Sequence, residues 1–259
     1  KTDAGNWRQS GGAVSGNPKR RALERLNEEK KPRMKYQGNG LPPDGDKQNC
    51  FPYFADEGLQ DAVNMALELG NPLLVKGPPG CGKTRLADSI AHELGIPADQ
   101  QFKWYIKSTS RARDGIYTID MVRRLQDAQT KGPQSERAQR LTPYIRFGPL
   151  GSALKSAEQS ILLIDEIDKA DIDFPNDLLR ELDEMQFTIE ELEGLELSAE
   201  EQAAGWRTTY TAKHRPIIII TSNDEKELPD AFLRRCLFYY IDFPLPDRLE
   251  QIVAANLQA

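Results

Sequence analysis

Eight consecutive residues, Gly77-Pro78-Pro79-Gly80-Cys81-Gly82-Lys83-Thr84, carry the clearest chemistry in the chain. Glycines leave no Cβ between backbone and ligand, so successive N–H groups can turn inward around phosphate oxygens. Lys83 would set a cation against the β and γ phosphates of a nucleotide. The Thr84 hydroxyl suits Mg2+, which keeps waters and phosphate oxygens in its own octahedron. The flanks agree with this reading. Residues 73–76 form a short apolar run of strand type, and Leu86, Ala87, Ile90, Ala91 and Leu94 recur at helical spacing before Gly95 and Pro97 end the pattern. Strand, loop and helix would set phosphate on a helix N-terminus, with Arg85 beside it.

Two polar clusters follow apolar runs downstream. Residues 161–164 lead directly into Asp165-Glu166. At the C-terminal end of a buried strand, Asp165 is placed to hold Mg2+ through water, and Glu166 to orient and polarise an attacking water. Residues 217–220 end in Thr221-Ser222-Asn223. The Asn223 amide could hold that same water from its other side, with Thr221 or Ser222 assisting. Taken singly these are ordinary features, an acidic loop ahead of a helix and a polar loop after a strand. Their order behind a full phosphate loop gives them meaning.

The elements that must position these groups are legible in the periodicity. Apolar runs at 73–76, 103–106, 161–164, 217–220 and 238–241 alternate with helical patterns, which predicts an α/β fold with a central parallel sheet flanked by helices. Residues 1–49 are rich in Gly, Asn, Pro and charge and read as a flexible arm or linker. Residues 50–246 read as the nucleotide-binding core. Within it, 187–189 and 208–211 alternate like the paired strands of a hairpin insertion at about 186–216. Residues 247–259 read as the first helix of a truncated lid.

Composition narrows the function class. The net charge of −6 argues against a dedicated nucleic-acid binder, and the basic residues of 107–146, Arg137 among them, are interleaved with acidic ones. The three cysteines, Cys50, Cys81 and Cys236, have no metal-ligand spacing and point to a reducing, cytoplasmic setting. No stretch approaches the about 18 to 20 apolar residues of a membrane span.

In this order and spacing the three motifs resemble the Walker A, Walker B and sensor 1 motifs of AAA+ ATPases, over roughly Phe51 to Pro246. The segment Phe147-Gly148-Pro149-Leu150, then Asp165-Glu166-Ile167-Asp168-Lys169-Ala170, then a hairpin before sensor 1, are similar to the MoxR-like group. The resemblance implies ATP hydrolysis with Mg2+ in a ring of identical subunits, expected to be a hexamer, that remodels a protein client or adaptor. It implies an arginine reaching the neighbour's site, carried here by Leu228-Pro229-Asp230-Ala231-Phe232-Leu233-Arg234-Arg235, with Arg235 the better alignment and Arg234 next to it. It also implies adenine contacts from Tyr53 to Asp56, and client contacts from Leu195, Leu197 or Trp206 on the hairpin. A family-type lid arginine is not matched. The other readings are a nucleotide-gated assembly switch with slow turnover and a nucleic-acid motor, which the charge disfavours.

Overall fold

A computed structural model of the chain describes residues 35–38, 52–131 and 139–258. The expected apolar runs become β1 (Leu73–Lys76), β2 (Gln101–Tyr105), β5 (Ile161–Asp165), β8 (Ile217–Ser222) and β9 (Leu237–Tyr240). They form a five-stranded sheet in the order β2-β5-β8-β1-β9, with every neighbouring pair parallel. Parallel neighbours need crossovers, and each crossover carries helices, which is why the sheet is covered on both faces.

Side chains alternate across a strand, so β1, β5 and β8 each feed two apolar clusters. Leu74, Leu162, Ile164, Ile218 and Ile220 enter one, while Leu73, Val75, Ile161, Leu163 and Ile219 enter the other. The second face is covered by α1 (Glu57–Leu69) and α2 (Lys83–Glu93) through Leu59, Val63, Leu86 and Ile90. The helix α1 starts where the Asp56 carboxylate accepts the Leu59 N–H at 2.7 Å and stops at Gly70, whose φ of 68° a glycine adopts without strain. On the first face lie α3 (Ala112–Ile116), α5 (Pro149–Lys155) and α6 (Phe174–Asp177), through Ile116, Leu150, Leu154 and Phe174; α4 (Met121–Lys131) precedes α5.

Within the segment expected as a solvated arm, Tyr36 is buried to 1% exposure. Its backbone N–H donates to Asn64 Oδ1 at 2.9 Å, its hydroxyl lies 3.0 Å from Ser89 Oγ, and the Gly38 N–H donates to Glu93 Oε2 at 3.0 Å. A lone aromatic in a polar stretch gives no periodic signal, so only the slot between α1 and α2 reveals its role. Burial pushes its phenol up to about 12. Residues 1–34 and 39–49 lie outside the described residues, as does Arg137.

Two small hairpins pack on the first face. β3 (Tyr117–Ile119) pairs with β4 (Ile145–Phe147), a hairpin the interleaved charges of 107–146 had concealed. The expected insertion hairpin forms from β6 (Gln186–Thr188) and β7 (Thr209–Thr211), after α7 (Leu179–Glu184). Between its strands, α8 (Ala199–Ala203) opens on a capping box of Ser198 and Glu201. Leu197 and Trp206, expected to face a client, instead pack against the core, with the Trp206 ring stacked on Phe147 at 5.5 Å. Apolar burial outweighs presentation at those two sites. Leu195 is exposed. The helices α9 (Asp230–Leu233) and α10 (Pro246–Gln258) flank β9.

Replacing Tyr36 by Ala empties the slot between α1 and α2 and should lower unfolding stability by about 3 kcal/mol, read as a drop in urea midpoint at unchanged slope. A stability loss of under about 0.5 kcal/mol would mean that the segment only rests on the surface.

Candidate functional site

The phosphate-type loop joins β1 to α2 at the C-terminal edge of the sheet, where open α/β folds bind ligands. Its backbone needs glycine at specific places. Gly82 has φ 96°, and a Cβ on Gly77 would come within 2.3 Å of the Ile241 carbonyl oxygen on the strand-side neighbour. Lys83 opens α2, with only 6% exposure, and its ammonium donates to the carbonyls of Gly77 at 2.7 Å and Pro78 at 2.9 Å. Among the described residues no carboxylate reaches it. A buried ammonium held by neutral groups alone leaves a positive charge that a bound anion would offset. That is the observation by which an anionic ligand fits.

Thr84 follows one residue on and donates to Asp165 at 3.1 Å (Oδ1) and 3.3 Å (Oδ2). Hydroxyl and carboxylate thus converge beside the loop. Among the described residues no group of three or more His, Cys, Asp or Glu side chains is placed to hold a metal ion. Thr84 and Asp165 are the residues that could hold Mg2+.

Glu166 sits in the left-handed region at φ 60°, ψ 50°, a costly conformation for a residue with a Cβ. Its carboxylate accepts from Asn223 Nδ2 at 3.2 Å and from Lys169 Nζ at 2.6 Å. The ion pair raises the pKa of the Lys169 ammonium, chiefly through this hydrogen bond. Asn223 therefore contacts Glu166 directly as well as lying at the strand end the sequence predicted. The turn beyond is tied back by buried Asp168, whose Oδ2 accepts the N–H groups of Asn223 at 3.0 Å and Glu225 at 2.9 Å. Asp168 and Lys169 carried no role of their own in the sequence. A carboxylate and an ammonium in a charged turn look like solvent-facing residues until the fold brings the 223–225 loop against them.

A cavity of about 930 Å³ opens beside the loop. Gly80, Cys81, Gly82 and Arg85 form one wall, residues 53–56 another, and α10 with Asp247 and Arg248 a third. Arg248 donates to the Phe54 carbonyl at 3.1 Å, joining the last two walls. Burial raises the Tyr53 phenol far above its usual range.

The description ATPase family associated with various cellular activities (AAA) matches residues 73–245, from the first core strand to the approach to α10. The chain belongs to the AAA family of ATPases. The chain is 40% identical over 47 residues to the denitrification regulatory protein NirQ of Stutzerimonas stutzeri, a match covering 18% of this chain and 17% of that protein. It is 40% identical over 58 residues to an uncharacterized AAA domain-containing protein of Schizosaccharomyces pombe, covering 15% of this chain and 7% of that one. A crystal structure of a candidate ATPase from Cytophaga hutchinsonii is similar with a TM-score of 0.48 and 16% identity, over 75% of this chain and 48% of that one. The matches to the two curated relatives thus span under a fifth of either, 17% and 7%.

AAA proteins bind nucleotides and commonly oligomerise. In this AAA chain the arginine pair does not reach the carboxylate cluster. Arg235 Nε donates to Asp183 Oδ2 at 2.6 Å and its Nη1 to the Ala231 carbonyl at 2.7 Å, while Arg234 is exposed. No helix of the described residues is long and apolar enough to cross a membrane.

Asp168→Ala should raise hydrogen exchange at the amides of Asn223 and Glu225 by about tenfold or more, since each loses a charge-assisted bond, and leave the amides of β7 unaffected. Unchanged protection at 223 and 225 would show that the loop holds itself.

Proposed function

We propose that the chain binds ATP with Mg2+ and hydrolyses it as one subunit of a MoxR-like ring, expected to be a hexamer, that remodels a protein partner. The observation that carries this reading is the buried, uncompensated Lys83 beside the Thr84–Asp165 pair, a cation and a hydroxyl–carboxylate pair gathered where phosphate and metal would meet. In the reading, the loop from Gly77 to Gly82 cradles phosphate with backbone N–H groups, and Lys83 offsets the charge of the β and γ groups. Mg2+, held by Thr84 and Asp165, would neutralise charge on the phosphate oxygens. Glu166 accepts a proton from the attacking water, and Asn223 holds the carboxylate toward it. Adenine occupies the 930 Å³ cavity beside Tyr53 to Asp56, with Arg85 at its loop wall. Arg235, or Arg234 beside it, acts on the site of the adjacent subunit.

A second reading, a nucleotide-gated assembly switch with slow turnover, draws on two contacts. Lys169 occupies the Glu166 carboxylate, and Asp183 occupies Arg235 in the same chain. Both groups would need release before hydrolysis.

ATP turnover measured together with molar mass by light scattering separates the readings. The ring ATPase expects ATP-dependent assembly, with Glu166→Gln assembling normally while turnover falls by about a hundredfold or more. Arg235→Ala should lose turnover at unchanged nucleotide affinity. ATP-driven assembly with turnover no faster than that of Glu166→Gln would sink the ring ATPase and leave the switch, and a chain that stays monomeric with ATP bound would sink both.

A further inference from the structure

One hydroxyl ties the Asp165 carboxylate to the Glu166 backbone in the candidate hydrolytic site. Thr221 Oγ1 donates its only hydrogen to Asp165 Oδ1 at 2.6 Å, the shorter of that oxygen's two hydroxyl bonds. Thr221 Oγ1 in turn accepts the Glu166 backbone N–H at 2.9 Å. Ser222 next to it is committed elsewhere, accepting the Asp224 N–H at 3.0 Å.

The sheet explains why this residue is in place. β5 and β8 run parallel with Ile164 opposite Ile220, so Asp165 and Thr221 stand side by side one step further. Alternation sets Thr221 on the face of Ile217 and Ile219, and Asp165 on that of Ile161 and Leu163, the face covered by α2. Thr84 starts from the N-terminal end of that helix. Three hydroxyl and carboxylate groups therefore meet on one side of the sheet.

Thr221 is 0% exposed, so no water stands ready to replace either bond. The Glu166 N–H it satisfies belongs to the residue held at φ 60°. Without an acceptor there, the left-handed turn loses the contact that offsets its strain, and the Glu166 side chain loses its aim at Asn223.

We propose that Thr221 is the positioning residue of this site, fixing Asp165 for the metal and the Glu166 turn for the attacking water through a single hydroxyl. The inference rests on the ATPase reading and adds to it a residue that touches neither nucleotide nor water. A hydroxyl is required on both counts: valine has the same shape but neither donates nor accepts, whereas serine keeps both bonds.

The test compares the full chain with Thr221→Val, Thr221→Ser, Asp165→Asn and Glu166→Gln. It measures ATP turnover against Mg2+ concentration, Mg2+-free binding of a fluorescent ATP analogue, and thermal unfolding. Thr221→Val should lower kcat about tenfold or more and raise the Mg2+ half-saturation about threefold or more, with Mg2+-free nucleotide affinity within about twofold because the phosphate loop is untouched. Thr221→Ser should return both values to within about threefold of wild type. A simple core role would not produce that split or that rescue. Wild-type kcat in Thr221→Val, or equal loss in the serine and valine chains, would overturn the proposal. Thr221→Ala is read in the same way if the valine chain does not fold, and failure of both to fold while serine behaves normally would make Thr221 a folding residue and overturn it too. Turnover that survives in Asp165→Asn and Glu166→Gln would overturn the ATPase reading and this inference together. Turnover lost in those two but kept in Thr221→Val overturns this inference alone.

Discussion

Parallel pairing of β5 with β8 is the constraint on which the site depends. Neighbouring strands in register present their side chains in step, so the residue after Ile164 and the residue after Ile220 are forced to be neighbours. Those residues are Asp165 and Thr221. β8, buried at every position after the first, is held in register by parallel pairing with β5 on one side and β1 on the other. The core thus sets the geometry of the polar edge. Helix α2 then brings Lys83 and Thr84 to that edge because its Leu86 and Ile90 dock on the same face.

The polar edge holds conformations that a core alone would not select. Glu166 and Asp224 both take positive φ, at 60° and 63°, on the two loops that follow β5 and β8. Each has an anchor: Thr221 for the Glu166 N–H, and Lys76 for the Asp224 carboxylate at 2.6 Å. Asp168 ties the two loops to each other through the amides of Asn223 and Glu225. Strain stored at such places persists only where surrounding bonds determine the backbone. The buried ammonium of Lys83 belongs to the same pattern, a local cost that a bound anion would offset.

The insertions are joined to the core by aromatic packing. Phe147 of β4 lies against Phe187, Tyr210 and Trp206 of the insertion hairpin at centroid distances of 6.1, 5.4 and 5.5 Å. Tyr117 adds polar ties, donating to Glu191 at 2.8 Å while accepting the Glu190 N–H at 3.1 Å. The two hairpins therefore share one cluster, which leaves Leu195 as the exposed apolar side chain among the three expected at the hairpin tip.

The sequence by itself determined the architecture and the identity of the loop chemistry. Apolar runs of strand length, a complete phosphate-loop pattern and helical spacing behind it are local signals, because chain geometry links them within a few residues. The five strands of the central sheet needed adjustment only at their ends, while the short β3 and β4 gave no such signal. The hairpin at 186–216 was legible for the same reason, as alternation is a period-two property of the segment itself. Only the tertiary structure decided what pairs across distance. That Thr221 bonds to both Asp165 and Glu166, that Asp168 holds the 223–225 loop, that Lys169 reaches the same carboxylate as Asn223, and that Tyr36 fills a slot between α1 and α2, all depend on segments far apart in the chain. Side-chain type gives no hint of such partners, since the same threonine, aspartate or tyrosine is at home on a solvated loop. What selects them is burial beside one another, and burial is a property of the whole fold.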